Sequence, residues 1–353
     1  MNEIDLKVRG LDRSAMAKAK ERWDRVAKPL ESLGAFEAMV IRIAGIQGTP
    51  DIALKPRCCL VFCADHGVVE EGVTQTDSSV TAKVALSICE GTSNISLMAA
   101  QAQAQVLAID MGMKTQVRHP ALISKRVRPG TRNMTKGPAL LLQEGRQAFL
   151  SGMEAARDIY DRGFRLMAVG EMGIGNTTAA AAAAAALTGL APEGLVGRGA
   201  GLSDEGLERK RRAVKEALLV NRPDPGDALA VLCKVGGLEL LGMAGAFAGA
   251  AACGMTAVID GAVSAVSALA AVRLCPDVKE VLLASHRSRE PLMQAVLEAL
   301  GMHPVLDAGM ALGEGTGAVM LFPLLDMAER VYGGCHTFSA LDMPAYVPQG
   351  ERT

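Results

Sequence analysis

From residue 57 onward the chain alternates short apolar runs, each four to seven residues long and closed by Gly and a polar residue, with Ala-rich stretches of helical length. The runs are CCLVFCADHG, QVLAIDMG, RLMAVGEMG, MTAVIDG, EVLLASH and HPVLDAGM. Unbroken apolar runs separated by helices predict strands of a parallel sheet covered on both faces, an α/β architecture. The alanine run at 179–186 reads as one of the covering helices. Ahead of the first run the pattern is helical. In SAMAKAKERWDRVAKPLESLG a cap at Ser14 precedes Ala15, Ala19, Trp23, Val26 and Leu30 near helical spacing, until Pro29 and Gly34 interrupt it. Phe36, Val40 and Ile43 mark a second amphipathic helix. Both helices precede any strand, which predicts a small helical unit outside the main sheet. Residues 240–258 carry no charge and approach the length of a membrane span. They are mostly Gly and Ala, and Asp260 follows at once, so a buried, close-packed helix is expected there.

Composition removes several function classes. A chain of 353 residues can bury a large core in one or two domains. Its 38 glycines and 3% aromatics suit closely packed layers. A net charge of -1 supplies no basic field, and so few aromatics supply no stacking platform, so nucleic acid is not expected as a partner. None of the eight cysteines stands in a CxxC pair, which reads as small buried side chains in a reducing cytosol rather than zinc ligands. The opening MNEIDLKVRG is charged and lacks an apolar signal core, so a cytoplasmic location without a membrane partner is expected.

In an open parallel sheet the ligand sits beyond the carboxyl ends of the strands. The polar residues at those ends are Asp65, His66, Asp110, Glu171, Asp260, Ser285 and His286, with Glu314 following the last run. Singly, each reads as a cap or turn residue; their common edge predicts one cleft.

Three Gly-rich turns give that cleft its chemistry. In AVGEMGIGNTTAAAA, Glu171 ends a run, Gly173, Ile174 and Gly175 form a turn, and Asn176, Thr177 and Thr178 open a helix. Glycines let amides approach an anion, the helix start adds partial positive charge and the hydroxyls add donors, which describes a phosphate cradle. It is neither the P-loop nor the GxGxxG dinucleotide pattern, which counts against an oxidoreductase. In VGRGAGLSDEGLERK, Gly199 precedes a helix capped by Ser203, with Lys210 two turns in as a point charge for a phosphate. In LGEGTGAVM, Glu314 stands among Gly313, Gly315 and Gly317 at a helix start. That carboxylate could simply complement the helix dipole, but the glycines suggest close approach by a ligand and a general base. Transferases that use phosphoribosyl pyrophosphate need Mg²⁺ and commonly place two adjacent acids after a strand, whereas AVIDGAVS has Asp260 alone. A donor that releases a neutral pyridine needs only a phosphate anchor, a negative environment and one base. No metal or cofactor is expected.

Taken in order, KPLESLG, CADHGVVEEGV, GEMGIGNTT, VGRGAGL, KVGGLELLGMAGA, DGAVSAVSALAA, ASHRS and LGEGTGA carry a resemblance. From about residue 11 to residue 328 the chain resembles the nicotinate-nucleotide:dimethylbenzimidazole phosphoribosyltransferase family of the cobalamin lower-ligand pathway. The resemblance implies a Rossmann-like parallel sheet with helices on both faces over residues 49–329, and a small helical domain built from residues 1–48 with 330–353. It implies phosphoribosyl transfer from nicotinate mononucleotide to 5,6-dimethylbenzimidazole or a related lower-ligand base, and a homodimer with sites near the interface. Glu314 matches the family's catalytic base. Glu171, residues 173–178, Gly199 and Lys210 match positions around the phosphoribosyl group, with Asp260, Ser264 and Ser288 beside them. Thr76, Val84 and Leu312 match the acceptor-base pocket, where the family carries Gln in place of Val84 and Ser in place of Thr76. Those departures leave a purine or phenolic acceptor open. A supporting subunit of a paralogous heterodimer is a further alternative, and the retained Glu314, Glu171 and Lys210 argue against it. The closing CHTFSALDMPAYVPQGERT matches no family motif.

Overall fold

Two helices open the chain in the computed structural model, which describes residues 8–347: α1 (Arg13–Arg25) and α2 (Ala35–Gln47). Residues 1–7 and 348–353, parts of the unit expected from the chain ends, lie outside the described residues. The cap of α1 is Asp12 and not Ser14: the Asp12 carboxylate accepts the Ala15 N–H at 3.0 Å. The helix ends at Arg25, short of Leu30, because Val26 turns extended and pairs with Thr337 in an antiparallel bridge. Ala19, Trp23, Val26, Val40 and Ala44 share a small core with Ala328 and Tyr332 from near the other chain end. That core is continuous with the rest, since α2 also sends Ile43 to one sheet face and Ile46 to the other.

The sheet begins with β1 (Arg57–Ala64), followed by α3 (Ser79–Cys89), α4 (Asn94–Gln101), β2 (Gln105–Gly112) and β3 (Ile123–Ser124). Next come α5 (Leu142–Asp161), β4 (Leu166–Met172), α6 (Asn176–Thr188), α7 (Asp204–Asn221), α8 (Ala228–Val235) and α9 (Leu238–Cys253). The chain closes with β5 (Thr256–Ile259), α10 (Ala262–Leu274), β6 (Leu282–Ala284), α11 (Leu292–Leu300) and α12 (Thr316–Gly334). All neighbouring strands are parallel, in the order β3-β2-β1-β4-β5-β6. β1 is buried throughout. Its Cys58, Leu60 and Phe62 face one layer, with α5 and α9, while Cys59, Val61 and Cys63 face the other, with α3, α4 and α12. This two-residue alternation is what a strand covered on both faces requires. The glycines bring the layers close: a Cβ on Gly152 of α5 would stand 1.9 Å from the Gly242 carbonyl of α9.

Three expectations change. HPVLDAGM is not a strand; Pro304 lacks an N–H for a ladder, and only Leu306 bridges to His286, beside β6. The sixth strand is instead β3, two residues at the far edge. Residues 240–258 are two elements, since α9 ends at Cys253, Gly254 turns left-handed at φ +72°, and β5 follows. Among the described residues no helix is long and apolar enough to cross a membrane. All eight cysteines are free, and Cys335 is exposed. The strand order reverses between β1 and β4, and such a switch point opens a crevice beyond the strand ends.

Candidate active site

A cavity of about 250 Å³ occupies that crevice. Its walls are the loop after β1, the end of β4 with the turn into α6, the 198–202 turn before α7, and the segments after β5, after β6 and before α12. Gln75 of the first loop donates to the Ala200 carbonyl at 3.1 Å and so joins two of these walls.

One end is cationic. Lys210, 1% exposed, projects from α7 into the wall, and its Nζ donates to Thr177 Oγ1 at 2.8 Å and to the Gly197 carbonyl at 3.0 Å. Both acceptors are neutral. Burial pushes the Lys210 ammonium down to about 8, with the Glu290 carboxylate opposing that fall. A buried cation whose hydrogen-bond acceptors are neutral, with one carboxylate, Glu290, nearby, suits an incoming anion. Gly173, Ile174, Gly175, Asn176 and Thr177 line the same cavity, as do Gly199 and Ser288. The cradle offers fewer amides than the motif suggests: Ile174 donates to Thr81 Oγ1, Asn176 to the Gly173 carbonyl and Thr178 to the Gly175 carbonyl. Thr178 does not line the cavity; its hydroxyl is buried within the protein.

The other end is acidic. Glu171 and Glu314 both line the cavity and are both buried. Burial, and then the charges of Asp260, Glu239 and Glu314, holds the Glu171 carboxyl well above the ordinary range, against the pull of the Asn176 amide that donates to it. Burial also raises Glu314, while the Ile95 N–H, 3.3 Å from its Oε2 at the start of α4, and the Asn94 side chain pull the other way. Glu314 has φ +61°, a strained value for a residue with a Cβ. Of the glycines beside it, Gly313 lines the cavity, whereas Gly315 and Gly317 serve protein contacts: a Cβ on Gly315 would meet Cys59 Sγ at 2.3 Å, and one on Gly317 would meet the His286 ring.

Not every strand-end residue reaches the cavity. Asp260 sits behind the wall, where its two oxygens accept the Gly315 N–H at 3.1 Å and the Ala318 N–H at 3.0 Å, capping α12. Ser264 donates to the Val169 carbonyl at 2.8 Å, also behind it. Asp65 holds the Thr81 hydroxyl and the Lys114 N–H, His66 pairs with Glu239 at 2.5 Å, and Asp110 caps the amides of Gly112 and Met113. Of the acceptor positions, Thr76 and Leu312 line the cavity, whereas Val84 packs half-buried on α3 against the sheet and does not. Met172, Arg198, His286 and Glu290 also line it. His286 stands among the strand ends and Arg198 within the VGRGAGL turn, though Arg198 is not itself singled out there, and Glu290 lies in a turn whose pattern gives no signal.

A family model described as Phosphoribosyltransferase matches residues 8–341. The chain belongs to that family. A nicotinate-nucleotide--dimethylbenzimidazole phosphoribosyltransferase of Acetivibrio thermocellus is 41% identical over 339 residues, 96% of this chain and 97% of the relative. One of the same name from Thermus thermophilus is 44% identical over 322 residues, 91% and 96% of the two chains. The crystal structure of CobT from Thermus thermophilus superposes with a TM-score of 0.89 at 43% identity, over 94% of this chain and 99% of that one. The chain is thus an enzyme of the phosphoribosyltransferase family, and its α/β fold is that of its structural neighbours.

Proposed function

We propose that the enzyme moves the phosphoribosyl group of nicotinate mononucleotide onto 5,6-dimethylbenzimidazole or a related lower-ligand base, in assembly of the nucleotide loop of a cobamide. The observation that carries this reading is the polarity of one cavity, with Lys210 on neutral partners at one end and Glu171 and Glu314 at the other. The names of the relatives support the same donor and acceptor.

Lys210 and the Thr177 hydroxyl hold the 5′-phosphate, and the ribose extends from there toward the carboxylates. As the bond from C1′ to the pyridine nitrogen breaks, positive charge develops on the ribose, and the acidic end stabilises it. Glu171, costly to ionise in the empty site, gains a cationic neighbour at that moment. The azole nitrogen bonds C1′ from the opposite face, and Glu314 takes the proton that the azole gives up. Nicotinate leaves neutral at its nitrogen, and the product is an α-riboside 5′-phosphate. Thr76, Met172 and Leu312 form the acceptor end, and two identical chains pair as the family resemblance implies.

The test is incubation of the purified chain alone with nicotinate mononucleotide and, separately, dimethylbenzimidazole, adenine and p-cresol. Base-dependent release of nicotinate with formation of an α-riboside phosphate is expected. Absence of nicotinate release with every base sinks the reading, and the base that reacts fastest identifies the acceptor class.

A further inference from the structure

His286 follows β6 and lies at the cavity wall, 3% exposed. The Ser285 hydroxyl has a single hydrogen. It goes to the Ile259 carbonyl at 2.6 Å, a group that can only accept. The 3.0 Å contact between Ser285 Oγ and His286 Nδ1 is therefore donated by the imidazole, and Nδ1 carries the hydrogen. The ring has no room to turn. A Cβ on Gly317, in the first turn of α12, would stand 2.0 Å from Nδ1, so the backbone itself presses on that edge. Nε2 is left at the opposite edge, near Gly261 and Ser288: a Cβ on Gly261 would lie 3.8 Å from Nε2 and 3.9 Å from Ser288 Cβ. Among the described residues Nε2 makes no hydrogen bond, and it is not among the atoms sealed from solvent. Asp260, behind the wall, is close enough to interact electrostatically with the ring; in the form that carries its one hydrogen on Nδ1, Nε2 is an acceptor without a donor.

What an acceptor nitrogen can bind is an O–H or N–H group. In nicotinate mononucleotide the phosphate, the carboxylate and the pyridinium ring offer none once ionised. The ribose 2′- and 3′-hydroxyls are its only donors. We propose that His286, as the neutral imidazole with its hydrogen on Nδ1, is a ribose-binding residue whose Nε2 accepts a hydrogen bond from one of these hydroxyls. This rests on the transfer reading given above and extends it to the sugar: the site selects a ribose over a deoxyribose donor by a residue of the cavity wall.

The experiment compares kcat/KM for nicotinate mononucleotide and its 2′-deoxy and 3′-deoxy analogues in the wild type, His286→Ala and His286→Gln. The wild type is expected to favour the ribose donor over one deoxy analogue by about three- to twelvefold, the worth of one neutral hydrogen bond. His286→Ala erases that preference, lowering kcat/KM for nicotinate mononucleotide by more than it lowers kcat/KM for the disfavoured analogue. His286→Gln, whose amide oxygen can stand in for Nε2, restores part of it. If His286→Ala melts below the assay temperature, His286→Asn, which is smaller than the ring, can keep a donor for Ser285 and lacks an acceptor at the place of Nε2, carries the same expectation. Equal slowing of all three donors would mark a packing role and overturn the proposal. So would an intact ribose preference accompanied by a lost preference for nicotinate mononucleotide over nicotinate riboside, which marks an anion contact. A wild type that releases no nicotinate from any donor overturns the transfer reading and this proposal together; a wild type that turns over, with ribose preference unchanged in His286→Ala, overturns this proposal alone.

Discussion

Glu314 donates its backbone N–H to the carbonyl of Glu171 at 3.2 Å, so the two cavity carboxyls are tied at the main chain across the gap between β4 and α12. The tie is possible because β4 has a glycine beside it: a Cβ on Gly170 would stand 2.3 Å from the Gly315 nitrogen. Asp260 pulls from behind on Gly315 and Ala318. Glu314 is thus held at φ +61° by groups other than its own side chain, and its carboxylate lines the cavity while Oε2 accepts the Ile95 N–H at the start of α4.

Replacing Glu314 by Gln keeps the size and removes the proton acceptor. General-base losses run about 10²- to 10⁴-fold, so kcat should fall in that range while the melting temperature at neutral pH does not fall, since burial also raises Glu314. A kcat within threefold of wild type removes Glu314 from proton transfer.

Lys210 must be charged to hold a phosphate dianion, and burial has brought it down to about 8. In the free enzyme, kcat/KM for nicotinate mononucleotide should therefore fall as pH rises through about 8. Bound phosphate favours the ammonium, so kcat should lose this limb or shift it upward. Lys210→Ala should abolish the limb and narrow the preference for the mononucleotide over nicotinate riboside. The limb surviving in the variant would place the titrating group elsewhere.

Glu171 binds its proton more tightly in the folded protein than in the unfolded chain, because burial raises it. Its contribution to stability is therefore greatest below the ordinary carboxylate range and is lost as pH rises from there toward its folded value, at about 1.4 kcal/mol per unit of pKa difference. Glu171→Gln removes this titration. The variant should melt higher than wild type at neutral pH, with the gap closing as pH drops toward about 4, while its transferase rate falls. A gap constant across pH would show that the carboxyl is not strained by its surroundings.

Glu171 and the 173–177 turn are legible in the sequence from where the β4 run stops, because a parallel sheet collects such ends at one edge. Glu314 has no strand in front of it and is legible only from its Gly-rich helix start. Edge position does not say which way a side chain points. Asp260 and Ser264 share that edge, yet turn inward to hold α12 and β4. Periodicity also failed where an element is short or its boundary is one residue. β3 has two residues, and only the left-handed turn at Gly254 parts α9 from β5. Glu290 sits in a turn that the fold, not any local pattern, brings to the cavity.

Val84 is where the family resemblance and the geometry part. It matches an acceptor position, but it lies half-buried on α3 among residues packed against Cys63 and Ala85, and its carbonyl accepts the Ser87 hydroxyl at 2.9 Å. Thr76 and Leu312 line the cavity instead, and Leu312 is 52% exposed, at the mouth, where an apolar base could cover it. Each methylene so covered is worth about 0.8 kcal/mol, or about fourfold. Leu312→Ala should therefore lower kcat/KM for dimethylbenzimidazole about fourfold per methylene lost, and lower it less for adenine, whose polar edge gains little from an apolar wall. Val84→Gln should leave the ratios among dimethylbenzimidazole, adenine and p-cresol within about threefold of wild type, less than one net hydrogen bond can supply at its upper range. Ratios that move more in Val84→Gln than in Leu312→Ala would put the acceptor against α3 and away from the mouth.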